Sequence, residues 1–207
     1  MNLLNIKKLT LGSMGANCYI IENGEQSIVI DPGANGGYLI EYAHRSHLKL
    51  KYILITHAHF DHIGAVDMLV QEFNSEVYIH EKDYEAFYDD DLNLSSYYTP
   101  LKLKSKVNKV QDKIQIAGFS ITFKNLPGHT HGSCFIIFDD FHIIFSGDIL
   151  FKGSIGRYDF PTSSINEMKE SIRQMYCIDK DYAIYPGHGE NTSMFKEKQN
   201  NPFFKRN

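Results

Sequence analysis

Four side chains that commonly bind metal ions lie within six consecutive positions of this 207-residue chain. They are His57, His59, Asp61 and His62, in the segment Thr-His-Ala-His-Phe-Asp-His at 56–62. Alternate side chains of an extended backbone share a face, which indicates that His57 and His59 can bind one ion together. Asp61 and His62 follow where the chain bends, and they can face a second position nearby. Imidazole and carboxylate ligands together suit zinc, iron or manganese.

The histidine-rich segment lies between a predicted strand and a predicted helix. Residues 51–55 form a short apolar run, which is typical of a buried strand. After the segment, apolar residues recur at helical spacing, so a helix is predicted to begin near His62 or Gly64. The four ligands are therefore expected on a strand-to-helix turn.

Three later turns each carry one further potential ligand beside a glycine, at Gly128-His129, Gly147-Asp148 and Gly187-His188. Each follows a predicted strand, and glycine allows the backbone to bend sharply and approach closely. Two ions that share a water molecule would lower its pKa toward about 7 and make it a nucleophile at neutral pH. A dinuclear site is predicted, with one ion on His57, His59 and His129, the other on Asp61, His62 and His188, and Asp148 as the bridge.

The rest of the sequence predicts an α/β (α+β) fold. Asn23-Gly24 indicates a hairpin turn, and Ser164 with Glu167 forms a capping box for a helix. That helix is predicted to direct Ile165, Met168, Ile172 and Met175 inward. This order of elements predicts two mixed sheets packed face to face with helices outside. Strands are predicted at 6–11, 18–22, 27–30, 77–80, 113–116, 120–125, 134–138, 141–145 and 182–185, and further helices at 38–47 and 82–88.

Composition is that of a globular protein, with 43% hydrophobic residues and a net charge of −4. This charge gives no general basic field for nucleic acid. Three widely spaced cysteines, Cys18, Cys134 and Cys177, do not form a disulfide framework and suit a reducing compartment. Residues 1–8 lack the apolar stretch of a signal peptide, and no apolar run reaches membrane-spanning length. We therefore expect a cytoplasmic protein without a nucleic-acid or membrane partner.

The combined motifs at 56–62, 128–130, 147–148 and 187–189 resemble the metallo-β-lactamase fold superfamily, in its glyoxalase II-like branch. Residues 147–161 and the ending Asn201-Pro202-Phe203 resemble the short, single-domain members of that branch. The resemblance implies a four-layer αββα sandwich with the metal ions at one edge of both sheets. Full-length glyoxalase II enzymes carry a C-terminal helical domain that helps to hold glutathione. Nineteen residues follow His188, so we expect one domain over 1–207 without that addition.

The resemblance also implies hydrolysis of a small thioester, as in hydroxyacylglutathione hydrolases. The predicted enzyme holds two divalent ions, with zinc expected and iron or manganese as alternatives. A metal-bridging hydroxide attacks the carbonyl carbon, and Asp61 or Asp148 orients it as a catalytic residue. Arg157, on a glycine-flanked loop, either contacts a substrate carboxylate or forms a surface salt bridge. Asp31 either supports the metal site, as the resemblance implies, or caps a turn.

Other assignments remain open from the sequence. An iron-dependent persulfide dioxygenase with one metal is the main alternative, and a phosphodiesterase, a nuclease or a non-catalytic metal-binding module are weaker ones. His131 stands where the family usually has proline, and it is expected to be exposed or to support a ligand. Cys134 and Cys177 are predicted as core residues. The loop between Asp89 and Lys106 has no clear prediction, and ordinary roles are expected for His44, His47, His80 and His142.

Overall fold

A computed structural model of the protein describes residues 4–205, which contain fourteen strands and six α-helices. The strands are β1 (Ile6–Leu11), β2 (Ala16–Ile21), β3 (Ser27–Ile30), β4 (Leu50–Ile55), β5 (Glu76–His80), β6 (Val107–Val110), β7 (Lys113–Ile116), β8 (Phe119–Asn125), β9 (Cys134–Phe138), β10 (Ile143–Gly147), β11 (Leu150–Phe151), β12 (Ser154–Ile155), β13 (Ala183–Pro186) and β14 (Thr192–Ser193). The helices are α1 (Gly36–Arg45), α2 (Phe60–Ile63), α3 (Val66–Phe73), α4 (Tyr84–Tyr88), α5 (Ile165–Tyr176) and α6 (Met194–Asn200).

Two six-stranded mixed sheets form the centre of the fold. The first has the order β1-β2-β3-β4-β5-β6, with antiparallel pairing up to β3 and parallel pairing from β3 to β6. The second has the order β14-β13-β10-β9-β8-β7, in which only β10 and β13 are parallel. Strands β11 and β12 form a separate small hairpin directly after β10.

Three clusters of buried apolar side chains show how these layers pack. The central cluster joins the two sheets, for example through Ile30 and Leu54 of the first and Phe123 and Phe145 of the second. A second cluster packs α1 and α3 on the first sheet, and a third packs α5 and α6 on the second. The predicted αββα sandwich of two mixed sheets with outer helices is therefore confirmed.

The helix predicted after the histidine-rich segment is interrupted near Gly64. The backbone N–H of Ala65 donates to the carbonyl of Pro32 at 2.9 Å, and not to a carbonyl of its own helix. A Cβ at Gly64 would overlap the carbonyl of Gly33, so the two segments touch through their backbones. This contact with the turn after β3 divides the predicted helix into α2 and α3.

Three further expectations need correction. The predicted hairpin pairs β2 with β3, but the connection is a 3₁₀ turn at Gly24–Gln26, in which the Ser27 hydroxyl donates to the Gly24 carbonyl at 2.7 Å. Ile165 is 46% exposed, because it occupies the first turn of α5 before the buried face begins. Cys177 is exposed at the end of α5, while Cys134 is buried as expected and Cys18 is a buried residue of strand β2.

No helix within residues 4–205 combines the length and the apolar character that crossing a lipid bilayer requires.

Candidate metal centre

All seven predicted ligands lie at one edge of the sandwich, in segments that follow strands. The four in the histidine-rich segment follow β4, and the last two of them belong to α2. The other three come from separate turns: His129 between β8 and β9, Asp148 after β10, and His188 after β13. Strand β4 is internal in the first sheet and β10 is internal in the second. The rigid centre of each sheet therefore positions the candidate ligands.

The donor atoms form two groups of three, and within each group they lie no more than 4.8 Å apart. These groups coincide with the two sets predicted from the sequence. We call His57, His59 and His129 the first triad, and Asp61, His62 and His188 the second triad.

Asp148 lies between the two triads. Its Oδ2 is 3.7 Å from Nε2 of His129, which belongs to the first triad. The same carboxylate approaches the second triad, with 3.5 Å from Oδ1 to Nε2 of His62 and 3.5 Å from Oδ2 to Nε2 of His188. A carboxylate so placed can contribute one oxygen to each side, which is the arrangement expected of a bridging ligand.

Unpaired polar atoms show that this site fits metal ions. The Nε2 atoms of four histidines and Oδ1 of Asp148 are buried and have no hydrogen-bond partner among the described residues. Leaving such an atom unpaired in the interior costs about 1–3 kcal/mol. A divalent cation accepts lone pairs from both imidazole nitrogen and carboxylate oxygen. The four histidines are His57, His59, His62 and His129.

Electrostatics differ between the two triads. Burial and the neighbouring imidazoles hold the pKa of His57 and of His59 well below its usual range, so both are neutral, as metal ligands must be. Burial alone would lower the pKa of His62, but the surrounding carboxylates, Asp61 foremost, raise it to about 10. For Asp61, burial alone would raise the pKa of the carboxyl. The neighbouring His62 and His188 outweigh that effect and hold this pKa below its usual range. The second triad therefore holds a proton that a bound cation would displace.

Asp31 supports the site through hydrogen bonds. Its carboxylate accepts from the backbone N–H of Thr56 at 2.8 Å and from the Thr56 hydroxyl at 2.6 Å, and its Oδ2 lies 3.1 Å from Nδ1 of His62. Asp31, His57 and His62 also offer three donor atoms within 4.8 Å. Both oxygens of Asp31 already accept hydrogen bonds, so Asp31 orients His62 toward the second triad and is not itself counted as a ligand. This agrees with the supporting role that the resemblance implies.

Two glycines beside the ligands are required by close packing. Gly147 has φ 48°, in the left-handed region, and a Cβ there would overlap the Thr56 side chain. A Cβ at Gly187 would overlap Oδ1 of Asp148 and approach the His62 ring. Larger residues at either position would displace the turns that carry Asp148 and His188.

Asp83 is a buried residue of the site that the sequence analysis missed. Its Oδ2 accepts from the backbone N–H of Ala58 at 2.9 Å and from the Thr130 hydroxyl at 2.7 Å. Its Oδ1 accepts from the backbone N–H of Gly132 at 2.6 Å. Burial raises the pKa of Asp83, and these three hydrogen bonds oppose that shift. Asp83 thus ties the turn that carries His57 and His59 to the turn that carries His129. The position of Asp83 after β5 could have indicated this role. Strand β5 is the parallel neighbour of β4, so both strands end at the sheet edge that carries the ligands.

Arg157 contributes to the site through its backbone. Its carbonyl oxygen lies 2.8 Å from Nδ1 of His129, which leaves Nε2 to face the other ligands of the first triad. The side chain points elsewhere, because Nε and Nη2 donate to the two carboxylate oxygens of Asp159, both at 2.9 Å. The guanidinium also lies 4.4 Å from the centre of the Phe160 ring. The structure therefore contains the salt bridge that was one of the two expectations for Arg157.

A cavity of about 690 Å³ opens over the two triads. His59 and His129 reach it from the first triad, and Asp61 and His188 from the second, together with Asp148. Its remaining wall is mainly apolar and comes from loops, from Phe60 of α2 and from the β11–β12 hairpin. The wall includes Met14, Phe60, Leu94, Tyr97, Tyr98, Phe151, Ile155, Arg157, Asp159, Phe160 and Pro161. The segment between Asp89 and Lys106, which had no clear prediction, thus supplies three of these side chains.

The remaining histidines lie outside both triads. His131 is exposed and its Nδ1 lies 3.4 Å from the Glu167 carboxylate, so it is not among the grouped donor atoms. His44 pairs with Glu72 at 2.8 Å on the surface. His80 is buried, and its Nδ1 lies 3.4 Å from the backbone N–H of Lys82. None of these three belongs to the metal-ligand groups found in residues 4–205.

Comparison with known proteins agrees with this fold. Residues 11–188 match the family model described as the metallo-beta-lactamase superfamily. Hydroxyacylglutathione hydrolase GloC of Haemophilus influenzae is 33% identical, over 97% of this chain and 98% of that protein. The BLEG-1 B3 metallo-beta-lactamase superposes with a TM-score of 0.89 at 32% identity, covering 96% of this chain and 99% of that one. The protein TTHA1623, solved in a di-iron-bound form, superposes with a TM-score of 0.85 at 33% identity, covering 95% of this chain and 99% of that one.

The chain belongs to the metallo-β-lactamase superfamily, and it is a metallo-hydrolase of that superfamily with a histidine and aspartate metal site. The set of two triads and a shared aspartate implies two divalent ions.

Proposed function

We propose that the protein is a thioester hydrolase that acts on a small thiol conjugate. The observation that carries the proposal is the pair of complete triads with Asp148 between them, at the floor of a cavity large enough for a small molecule. The similarity to a hydroxyacylglutathione hydrolase supports the choice of a thioester. When bound, two divalent ions would supply Lewis acidity and lower the pKa of a water molecule.

The residues of the chain orient the reactants. Carboxylate oxygens of Asp61 and Asp148 face the cavity and can accept hydrogen bonds from the attacking water, which fixes its direction. Asp31 and the Arg157 carbonyl hold the ligand rings, and the apolar wall limits the access of other water molecules. A thiolate is a weakly basic leaving group, so the reaction needs no protonating residue beside the sulfur.

Covalent catalysis by a buried cysteine does not fit this site. Burial raises the pKa of the Cys18 and Cys134 thiols well above the usual range. The Cys134 thiol also donates to the Thr56 carbonyl at 3.3 Å. Neither side chain lines the cavity. Hydrolysis by an activated water is therefore the mechanism that the geometry supports.

Zinc is the proposed metal, because five histidines and two aspartates form a borderline-soft donor set. The di-iron form of TTHA1623 makes iron the alternative. We further propose that the substrate is a free small molecule and that the enzyme is cytoplasmic, where free cysteines persist. All three cysteines of this chain are free in the structure.

Metal analysis combined with a substrate panel tests the proposal. Protein purified without added metal is analysed for zinc, iron and manganese, and then assayed with S-2-hydroxyacylglutathione and other thioesters. Hydrolysis by protein with about two ions per chain is expected. Full hydrolytic activity with one ion would refute the dinuclear mechanism, and oxygen consumption with a persulfide would instead favour the dioxygenase.

Hydrolysis of a β-lactam is a second candidate function, because the BLEG-1 enzyme is 32% identical over nearly all of both chains. The same panel therefore includes a cephalosporin. Cleavage of the cephalosporin without cleavage of any thioester would replace the first proposal by the second.

A further inference from the structure

Aromatic side chains dominate the cavity wall beside the triads. The rings of Phe60 and Tyr98 stack with their centroids 4.7 Å apart. Phe160 packs edge-on against the rings of His59 and His129, with centroid distances of 5.3 and 5.7 Å. The neighbouring Tyr97 is 72% exposed and Tyr98 is 63% exposed, although both line the cavity. Exposed aromatic rings that line a concave site are typical of a surface that binds an apolar group.

Among residues 4–205, one lysine or arginine lines this cavity, and its charge is already paired. The guanidinium of Arg157 donates to both oxygens of Asp159, which is the bidentate geometry by which arginine recognises a carboxylate. Stacking on Phe160 fixes the plane of the same guanidinium. A substrate carboxylate that binds the same edge of the guanidinium would have to displace Asp159, and one that binds the free Nη1 edge would lie close to the negative charge of Asp159.

We propose that the part of the substrate held in this cavity is uncharged and apolar or aromatic, and that Asp159 sets this preference. Asp159 disfavours a carboxylate in two ways, because it occupies the Nε and Nη2 edge of Arg157 and repels a second negative charge. Phe60 and Tyr98 provide a surface for the uncharged group. The inference rests on the proposed thioester hydrolysis only for the identity of the reacting bond.

This preference narrows the substrate class. A thioester with a carboxylate close to the reacting carbonyl is disfavoured, and a thioester with a phenyl or branched alkyl group there is favoured. Arg157 keeps the capacity to bind a carboxylate that the sequence predicted, but Asp159 uses that capacity within the protein. Removal of the Asp159 charge should therefore change which substrate is preferred.

Binding of two thioether analogues to zinc-loaded protein tests this inference without requiring catalysis. In both analogues a methylene group replaces the thioester carbonyl, and both carry a phenylpropyl chain. One has an unsubstituted ring and the other has a carboxylate at the para position. Calorimetric titration measures each dissociation constant for the wild-type protein, Asp159→Asn and Tyr98→Ala.

The wild-type protein is expected to bind the neutral analogue more tightly. Asp159→Asn should strengthen binding of the carboxylate analogue roughly two- to fivefold, the range for an exposed ion pair, with a smaller change for the neutral analogue. Tyr98→Ala should weaken binding of the neutral analogue roughly two- to tenfold. Any direct contact of the carboxylate with the metal ions is the same in wild type and Asp159→Asn, so the comparison cancels it.

Glu170→Gln is the matched control, since it breaks another exposed ion pair, with Arg173 at 3.2 Å, on a part of α5 that does not line the cavity. It should leave both dissociation constants unchanged. Tighter binding of the carboxylate analogue by the wild-type protein, in the zinc-loaded and in the metal-free form alike, would overturn the inference. So would absence of binding of the neutral analogue, or an Asp159→Asn variant that binds both analogues as the wild type does.

The corresponding pair of thioesters then separates this inference from the proposed function. If the analogues bind in the expected order but neither thioester is hydrolysed, the proposed reaction is wrong and the preference of the cavity stands. If both thioesters are hydrolysed with equal kcat/KM and the analogues bind equally, the reaction stands and the preference is wrong.

Discussion

Replacement of Asp83 should weaken metal binding, although Asp83 is not one of the seven candidate ligands. Its carboxylate is 1% exposed and accepts hydrogen bonds from two backbone N–H groups and one hydroxyl. One of those N–H groups belongs to Ala58, between His57 and His59. The other two donors, in Thr130 and Gly132, belong to the turn that carries His129. The first triad is thus joined across two turns by this carboxylate.

The size of the effect follows from the groups left unpaired. In Asp83→Ala the buried N–H groups of Ala58 and Gly132 lose their acceptor, at about 1–3 kcal/mol each, or roughly 2–6 kcal/mol in total. In Asp83→Asn one oxygen remains, so roughly half of that loss is expected. Residues that position metal ligands through hydrogen bonds typically contribute 10- to 100-fold to metal affinity. We expect a loss of affinity of that order for Asp83→Asn.

Asp67→Asn is the matched control for this experiment. Asp67 also accepts from two backbone N–H groups and one hydroxyl, at 2.9, 3.0 and 2.5 Å, but its partners are Lys104 and Ser105. Urea unfolding of the metal-free proteins measures the free energy of unfolding, and competition with a chelator measures zinc affinity. Both variants should unfold more easily, and only Asp83→Asn should lose affinity. Equal zinc affinity in the two folded variants would refute the positioning role.

Three other predictions concern the ligands and the core. Asp148→Ala should abolish hydrolysis and lower the metal content measured by elemental analysis, while urea unfolding shows a retained fold; near wild-type turnover would contradict the bridging assignment. Zinc binding near pH 8 should release about one proton from His62, whose pKa is raised to about 10, whereas an unshifted histidine would release almost none. Calorimetry in buffers of different ionisation enthalpy measures the total release, in which the proton from His62 adds to the one that a metal-bound water loses, so a total of one proton or less would be the opposing result. Met168→Ala should cost about 2–5 kcal/mol of unfolding free energy, and the exposed control Ile165→Ala much less; equal losses would mean that the two faces of α5 are wrongly assigned.

Much of the fold could be predicted because the strands are short apolar runs that end in turn residues. The strand at 51–55 and the helix capped by Ser164 follow from local signals, since the Ser164 hydroxyl accepts from the backbone N–H of Glu167 at 3.3 Å. The break between α2 and α3 could not be predicted. It depends on the backbone of residues 32–33, which lies next to Gly64 only after the first sheet has formed.

The candidate ligands could be grouped from the sequence because each follows a strand end, and strand ends gather at the edge of a sheet. The supporting contacts could not be found in this way. Asp83 lies 25 residues from Ala58 and 47 from Thr130, and no motif links them. The pairing of Arg157 with Asp159 is local, but two residues of opposite charge in a loop do not reveal whether they meet each other or a ligand.

The metal ligands and the cavity wall are held largely by different parts of the chain. Metal binding and substrate preference can therefore be changed separately. Donor atoms of both triads are held by turns at the ends of internal strands, by Asp31 and by Asp83, all within the packed sandwich. Most of the wall of the cavity comes from surface loops, including the segment with Tyr97 and Tyr98, and from the β11–β12 hairpin, although Phe60 belongs to the ligand segment itself. A substitution in those loops can therefore change the group that is bound without moving a metal ligand. Asp159 is an exception in part, because it pairs with Arg157, whose carbonyl orients His129. Loss of that pair should leave His129 in place, since the hydrogen bond comes from the backbone and does not need the guanidinium.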